Sequence, residues 1–230
     1  MAALPEAVIF DLDGVLTRTD RYHYLAWRRL AEELGLSFDE ALNDRLRGVG
    51  RLDSLRIIMA CNGRRCGEEE LRRLAEVKNE YYREFVAGMS PADVSPGAVA
   101  VLKNLREMGI KIGLASASKN APFILDRLDL RRFFDHIVDP GRITRGKPDP
   151  EIFLAAAEGL GAAPCRCVGV EDAAVGVRAI KAAGMYAIGV GDPGILKEAD
   201  EVIQDLKEFR LDRYLNGQRR AQPKANGGDR

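Results

Sequence analysis

Short apolar runs that end in small or polar residues recur along this chain, and they constrain its fold more than any other feature. The first runs from Ala7 to Asp11, and similar runs occupy residues 111–115, 167–170 and 186–190. Runs of this length are typical of strands that are buried on both faces of a parallel sheet. Between them, apolar residues recur every three or four positions, which predicts helices at Val99–Met108, Phe123–Leu128, Glu151–Leu160 and Val175–Ala183. The alternation predicts an α/β fold with a doubly wound, mainly parallel sheet.

One long stretch, residues 19–89, interrupts this alternation, because its periodic segments are all helical. Leu25, Leu30 and Leu34 indicate one amphipathic helix, and a second carries Leu71, Leu74, Lys78, Tyr81 and Phe85. The breakers at 90–93 and 95–97 indicate a return to the sheet. We therefore predict a core of residues 1–18 and 90–216 with an inserted helical domain at 19–89. Residues 217–230 lack apolar periodicity and are predicted to form a disordered tail.

Composition excludes several classes of partner and location. The 35 Lys and Arg residues balance 35 Asp and Glu residues among 230, so no net charge favours nucleic acid or an anionic membrane. No apolar run reaches the length of a membrane span, and the N-terminal run is too short for a signal peptide. We expect a cytoplasmic protein. Its four cysteines lack paired CxxC spacing, so ordinary thiols are favoured over a zinc site.

Acidic residues follow two of the predicted strands. Asp11 and Asp13 lie at the end of the first, and Glu171 and Asp172 end another. Crowded carboxylates repel one another unless a cation or a shared proton intervenes, and Mg²⁺ is bound by carboxylates together with phosphate oxygens. The alternatives are that Asp11 and Asp13 cap a turn and that Glu171 and Asp172 form a solvated acidic turn. The carboxyl edge of such a sheet is where ligands bind.

Two further segments have the character of phosphate-binding groups. Ser116 and Ala117 follow a strand and precede a helix, so hydroxyl and N–H groups there can hold a phosphate, although a simple helix start has the same composition. Lys147 lies in a stiff loop bounded by Pro148 and Pro150, which suits a fixed charge facing a phosphate. A surface lysine is the alternative.

The order of these four motifs, with a helical insert directly after the first, resembles the haloacid dehalogenase (HAD) superfamily of phosphotransferases. That superfamily has a Rossmann-like core and a helical cap domain. Within it the chain is most similar to the hexose-phosphate mutases. The likeness spans about residues 7–190 and rests on residues 11–15, His23 with Trp27, Gly48, Val49, Arg51, Ser54, Leu55, and residues 90–93, 115–120 and 171–172.

The resemblance implies an isomerase that depends on Mg²⁺ and interconverts β-glucose 1-phosphate and glucose 6-phosphate. By similarity, Asp11 becomes an aspartyl phosphate, and β-glucose 1,6-bisphosphate is the intermediate and activator. Asp13 is expected to act as the general acid and base. The metal is expected at the Asp11 carboxylate, the Asp13 backbone carbonyl and Asp172, with Glu171 beside them. The resemblance assigns the transferring phosphoryl group to Ser116, Ala117 and Lys147.

The same resemblance assigns residues to the substrate and to the hinge of the cap. Arg51 is expected to clamp the phosphate that is not transferred, and the sugar pocket is expected to contain Gly48, Val49, Ser54 and Lys78. Ser118, Lys119 and Asn120 extend toward the second phosphate from the core side. His23, Trp27 and Thr19 correspond to the hinge region, although Trp27 is equally well interpreted as helix core. Two residues depart from the family pattern. Arg18 lies in the hinge, and Gly50 lies beside Arg51.

Two other functions are compatible with parts of the sequence. A sugar-phosphate phosphatase of the same superfamily has the same Asp11 chemistry with water as the acceptor. A non-catalytic, receiver-like domain phosphorylated on Asp11 needs no sugar cap, so the insert argues against it. The expected partners are hexose phosphates, with no nucleic acid and no membrane, and the expected state is a monomer.

Overall fold

The computed structural model of the chain describes residues 4–46 and 49–214. Its centre is a six-stranded sheet in which every adjacent pair is parallel, in the order β3-β2-β1-β4-β5-β6. The strands are β1 (Ala7–Phe10), β2 (Lys111–Leu114), β3 (His136–Ile137), β4 (Cys167–Glu171), β5 (Tyr186–Val190) and β6 (Glu201–Ile203). This arrangement confirms the predicted doubly wound α/β fold.

Helices cover both faces of the sheet. They are α1 (Asp20–Glu33), α2 (Glu40–Asp44), α3 (Arg51–Cys61), α4 (Glu68–Ala87), α5 (Ala98–Glu107), α6 (Ala121–Arg127), α7 (Glu151–Leu160) and α8 (Ala174–Ala182). Because side chains alternate along a strand, Val8 and Phe10 of β1 pack in the cluster that contains α5 and α6. Ala7 and Ile9 pack on the opposite face, in the cluster that contains α7 and α8.

The helices between residues 20 and 87 have a hydrophobic cluster of their own. It is formed by Trp27, Leu30, Leu46, Leu55, Ile58, Met59, Leu71, Leu74 and Ala75. The far end of α4 instead contributes Tyr82 and Val86 to the cluster under the sheet, and Ala26 of α1 joins it there. We refer to α1–α4 as the cap. The domain limits at 18/19 and 89/90 stay a prediction, and the predicted tail at 217–230 lies outside the described residues.

The register of the strands determines where the site lies. Phe10 is aligned with Leu114 of β2 on one side and with Val170 of β4 on the other. The residues that follow these positions, Asp11, Ala115 and Glu171, therefore emerge at one edge of the sheet. Across residues 4–46 and 49–214, none of the helices combines the length and apolar character needed to cross a bilayer.

Candidate active site

Asp11 and Lys147 meet at the carboxyl end of β1. The Asp11 backbone N–H donates to the Val170 carbonyl at 2.9 Å, which extends the β1–β4 pairing by one residue and fixes the direction of the side chain. Lys147 Nζ lies 2.5 Å from Asp11 Oδ1 and 2.8 Å from Glu171 Oε2. All three side chains are nearly inaccessible to solvent. Lys147 therefore bridges Asp11, the predicted nucleophile, and Glu171, one of the two acids predicted at the metal site.

Asp172 completes a cluster of carboxylates at the same edge. Oxygen atoms of Asp11, Glu171 and Asp172 all lie within 4.8 Å of one another. Gly14 makes room for this approach, since a Cβ built there would lie 1.9 Å from Asp172 Oδ2. Its φ of +84° is also a conformation that favours glycine. Gly14 is thus required both by the turn and by Asp172, the acid that faces it.

The charge of this cluster favours a cation. Lys147 supplies one positive charge against Asp11, Asp13, Glu171 and Asp172. Burial and the neighbouring acids raise the pKa of Glu171 and of Asp172. Burial alone would lower the pKa of Lys147, but Asp11 and Glu171 outweigh it and the pKa is raised. Three clustered carboxylates with an excess of negative charge fit Mg²⁺, which prefers oxygen ligands.

Asp13 lies outside that cluster of three, and its side chain is bonded by Thr19. Gly14 and Thr17 close the intervening turn, with the Gly14 N–H donating to the Thr17 carbonyl at 2.7 Å. The Thr19 hydroxyl donates to Asp13 Oδ1, so Thr19 begins α1 without capping it through its side chain. Burial, followed by repulsion from Asp11, raises the pKa of Asp13 to about 6. A carboxyl group with that pKa exchanges protons readily near neutral pH.

The loop between β2 and α6 carries the predicted phosphate-binding residues. Ser116 is buried, and its Oγ accepts a hydrogen bond from the Ser118 N–H at 3.2 Å. The Ser118 hydroxyl in turn accepts from the Asn120 N–H at 3.3 Å. Ala117 and Lys119 are exposed. The loop is therefore organised by its own hydroxyl groups, and it lies beside Asp11 because Ala115 pairs with Phe10 across the sheet.

In the cap, His23 and Lys78 form a hydrogen-bonded pair beside Trp27. Lys78 Nζ lies 2.8 Å from His23 Nδ1 and 4.6 Å from the centre of the Trp27 ring. Burial, then the charge of Arg51, lowers the pKa of Lys78 to about 7. Burial and Lys78 lower the pKa of His23 well below its ordinary value. Trp27 packs in the hydrophobic cluster of the cap, as expected for a helix-core residue, and it also faces Lys78.

Arg51 begins α3 and is paired within the cap. Its Nη1 lies 3.0 Å from Glu76 Oε1, and its side chain is one-quarter exposed (25%). Ser54 is buried on the same helix, and its hydroxyl donates to the Val49 carbonyl at 3.3 Å. Gly48 lies outside the described residues. Gly50 is in an extended conformation at the N-cap of α3, so its departure from the family pattern introduces no positive φ.

Sequence reasoning missed two side chains near these groups. Tyr82 is buried and stacks on His23 with ring centres 4.1 Å apart, yet its hydroxyl has no hydrogen-bond partner among the described residues. Asn79 of α4 accepts a hydrogen bond from the Asn120 side chain at 2.9 Å. Tyr82 lies one helical turn after Lys78, and this spacing was the one available signal. The contact of Asn79 depends on how the cap packs and had no local signal.

A family model for haloacid dehalogenase-like hydrolases matches residues 5–184. The β-phosphoglucomutase of Bacillus subtilis is 44% identical over 209 residues, which cover 90% of this chain and 92% of that protein. The phosphorylated carbohydrates phosphatase of Thermotoga maritima is 34% identical over 219 residues, or 88% of this chain and 99% of that protein. Both alignments therefore cover most of this chain and most of the relative.

A solved structure shows the same likeness in three dimensions. The crystal structure of β-phosphoglucomutase from Clostridium difficile superposes with a TM-score of 0.89 at 39% sequence identity. The match covers 95% of this chain and 100% of that one. The similarity therefore extends through both the sheet and the cap helices.

Proposed function

Because this chain belongs to the haloacid dehalogenase family, we propose that it uses Asp11 as a covalent nucleophile to interconvert β-D-glucose 1-phosphate and glucose 6-phosphate. The observation that carries this choice is the 44% identity, over 90% of the chain, to a β-phosphoglucomutase. The geometry suits the same reaction, since Asp11 is fixed at the sheet edge by Lys147, and Lys78 of the cap lies near enough to Asp13 for their charges to interact.

In this proposal the Asp11 carboxylate oxygen attacks phosphorus while the bond from phosphorus to the sugar oxygen breaks. Asp13 donates a proton to the departing oxygen. In the reverse step, Asp13 takes the proton of the attacking sugar hydroxyl, and the phosphoryl group leaves Asp11. With β-glucose 1-phosphate as acceptor at its 6-hydroxyl, the product is the 1,6-bisphosphate. After reorientation, the phosphoryl group at position 1 returns to Asp11 and glucose 6-phosphate is released.

Asp13 is suited to both proton transfers by its surroundings. Its pKa of about 6 is close enough to neutral pH for the acid and the base to be populated in turn. The Thr19 hydroxyl holds one of its oxygens, which leaves the other available to a sugar oxygen. Thr19 joins the core to α1, so we infer that it ties the position of the acid to the hinge of the cap.

Asp11, Glu171 and Asp172 are the side chains that would hold Mg²⁺, together with the backbone carbonyl of Asp13. When bound, the ion offsets the charge of the phosphoryl oxygens. Lys147 adds a second fixed positive charge beside Asp11. Ser116 and the N–H of Ala117 are proposed to hold the remaining oxygens of the transferring group.

The cap and the loop after Ser116 are proposed to bind the rest of the substrate. Arg51 is suited to the distal phosphate, because a guanidinium can bind it through two parallel hydrogen bonds. The sugar is assigned to Gly48, Val49, Ser54, Lys78, His23 and Trp27 from the cap. Ser118, Lys119 and Asn120 are proposed to extend from the core toward the distal-phosphate end of the substrate. We also propose that β-glucose 1,6-bisphosphate activates the enzyme, and that it works as a cytoplasmic monomer.

One mixture tests this function against a phosphatase. The protein is given β-glucose 1-phosphate, a trace of β-glucose 1,6-bisphosphate and Mg²⁺, and glucose 6-phosphate and free phosphate are measured together. We expect glucose 6-phosphate to form far faster than free phosphate, with a lag when the bisphosphate is omitted. Free phosphate as the main product would identify a phosphatase, and no turnover with a stable aspartyl phosphate would identify a receiver-like domain.

A further inference from the structure

A series of hydrogen bonds connects the loop after β2 to helix α4 of the cap. Within the loop, the Ser118 N–H donates to Ser116 Oγ and the Asn120 N–H donates to Ser118 Oγ. The last member leaves the loop, because Asn120 Nδ2 donates to Asn79 Oδ1 of α4 at 2.9 Å. Ser116 at the beginning of the series is buried beside the predicted phosphoryl site. The cap is therefore bonded directly to the segment that carries that serine.

A second contact lies beside the Asn79–Asn120 bond and fixes the same alignment. Arg83, one turn further along α4, places its guanidinium 5.7 Å from the centre of the Phe123 ring on α6. Residues four apart lie on one face of a helix, so Asn79 and Arg83 present one strip of α4 to the start of α6. The Asn79–Asn120 and Arg83–Phe123 contacts thus hold the cap at the same position over the loop.

The hydrogen bond between the Asn120 and Asn79 side chains has a chemical consequence. An asparagine side chain has one acceptor oxygen and one donor NH₂ group. Since Asn120 bonds Asn79 through one end of its amide, the orientation of that side chain is fixed and the other end of the amide remains available to the substrate. Asn79 follows Lys78, whose Nζ lies on His23. Neighbouring residues of α4 therefore contact the cap interior and the core loop.

We propose that Asn79 is a positioning residue, which holds Asn120 and the phosphate loop against the cap and so favours a sugar hydroxyl over water as the phosphoryl acceptor. This inference rests on the proposed mutase function. A cap fixed to the loop keeps water from the aspartyl phosphate while Asn120 orients the sugar. Without the Asn79 acceptor, the Asn120 amide can rotate and the cap loses one contact with the core.

The test compares Asn79→Ala with Glu80→Ala, an exposed neighbour on the same helix. Three quantities are measured: the ratio of free phosphate to glucose 6-phosphate, the KM for β-glucose 1-phosphate, and the rate of Asp11 phosphorylation by acetyl phosphate. Losing one neutral hydrogen bond corresponds to about a two- to tenfold change. We expect Asn79→Ala to raise the ratio and the KM by that factor while phosphorylation by acetyl phosphate stays within about twofold. Glu80→Ala should change none of them.

The same measurements in an Asn120→Ala background show whether Asn79 acts through Asn120. If it does, adding Asn79→Ala produces no further rise, because the partner is already absent. An equal rise in both backgrounds would overturn the inference, as would an Asn79→Ala protein that matches Glu80→Ala or that loses acetyl phosphate reactivity to the same extent.

Different results contradict the proposed mutase function and the proposed role of Asn79. Wild-type protein that releases only free phosphate contradicts the mutase function. The role of Asn79 is then judged by the KM for β-glucose 1-phosphate alone, which should still rise two- to tenfold in a manner that depends on Asn120. An unchanged KM in that case would overturn it.

Discussion

Lys78 of α4 and His23 of α1 are joined inside the cap, with Lys78 Nζ 2.8 Å from His23 Nδ1. When Lys78 is protonated, its ammonium group can only donate, and the neutral histidine then accepts at Nδ1. Lys78 also faces the rings of Trp27 and Tyr82, with their centres 4.6 and 5.0 Å away. Burial and the charge of Arg51 oppose the protonated form of Lys78, whereas the charge of Asp13 favours it. The cap therefore keeps a lysine in surroundings that penalise its charge.

This burial predicts a stability that depends on pH. The pKa of Lys78 falls from 10.5 to about 7 in the folded protein, so between these values the unfolded chain binds a proton that the folded chain has lost. The penalty for the charge is complete below about pH 7 and disappears as pH rises toward 10.5. Lys78→Met should therefore raise the free energy of unfolding more at pH 6 than at pH 9, by at most about 1.4 kcal/mol per pH unit.

Urea unfolding at both pH values measures this difference. Lys103→Met serves as the control, since Lys103 is exposed on α5. The control should show the same small effect at pH 6 and pH 9. If Lys78→Met raises the free energy of unfolding equally at pH 6 and pH 9, the folded protein keeps this lysine charged over that range.

Asp11→Asn tests the nucleophile. The amide keeps the shape of the side chain, and Lys147 keeps its partner Glu171 at 2.8 Å. The substitution also removes one negative charge from a crowded acidic cluster, so the melting temperature should stay the same or rise. Turnover should fall on the order of 10⁴-fold or more, with no phosphorylated protein in intact mass spectra after acetyl phosphate. Asp126→Asn, an exposed acid of α6, is the control.

Asp13→Asn separates proton transfer from nucleophilic attack. The amide oxygen can still accept from Thr19, so the turn and the hinge contact are retained. Acetyl phosphate has a good leaving group and needs little acid assistance, so Asp11 should still be phosphorylated slowly. Transfer to and from the sugar should fall about a hundred- to ten-thousand-fold, the usual range for a general acid or base. Wild-type sugar turnover in this variant would remove Asp13 from that role.

Much of the fold could be predicted because buried strands and amphipathic helices leave local patterns. The runs that became β1, β2, β4 and β5 are four or five residues long and almost wholly apolar or small. β3 and β6 have two and three residues, and His136 and Glu201 lie within them, so neither has the period of a strand. In the cap, α2 and α3 were not individually predicted, and none of the five residues of α2 is buried.

The acidic edge of the candidate site could be anticipated for a related reason. Parallel strands end together, so acids that follow β1 and β4 in sequence are expected to converge, and the register aligns Phe10 with Val170. The pairing of Arg51 with Glu76 and of Asn79 with Asn120 had no such signal. Each depends on the angle at which one helix packs on another element, which no local spacing encodes.

Tyr82→Phe tests whether the unpartnered phenol weakens the fold. The ring is buried against His23, and its hydroxyl makes no hydrogen bond of normal geometry in the part of the chain that the structure describes, although the Thr19 side chain lies near it. A buried hydroxyl without a partner costs about 1–3 kcal/mol, and phenylalanine keeps the stacking. We expect the melting temperature to rise by roughly 2–4 °C for each 1 kcal/mol gained. Tyr81→Phe, which loses a hydrogen bond to Glu33, should instead be neutral or slightly destabilising. A clear loss in Tyr82→Phe would show that the hydroxyl has a stabilising partner.

Arg51 provides the sharpest test of whether the cap recognises a second phosphate. Its ion pair with Glu76 is partly exposed, with 25% and 69% of the two side chains accessible. A pair of this kind contributes at most about 1 kcal/mol, less than a bidentate bond to phosphate. The guanidinium can therefore leave Glu76 for a distal phosphate at little cost.

Arg51→Ala should weaken the use of β-glucose 1-phosphate and the bisphosphate about ten- to a hundred-fold, the usual effect of losing a charged, bidentate contact. Acetyl phosphate has no distal group, so phosphorylation of Asp11 by acetyl phosphate should change by less than about twofold. Arg51→Lys should recover part of the loss, because lysine restores the charge without the paired hydrogen bonds. Arg56→Ala is the matched control, since Arg56 lies on the same helix and is bound to Asp53 and Glu68.

Steady-state kinetics with both donors distinguish two roles for this arginine. A loss confined to the sugar phosphates means that Arg51 binds the distal phosphate, which a mutase needs in order to turn the bisphosphate around. Equal losses with acetyl phosphate, or losses as large in Arg56→Ala, mean that Arg51 instead supports folding or closure of the cap. In that case, the cap no longer argues for a mutase over a phosphatase, because shielding the site from water is compatible with either acceptor.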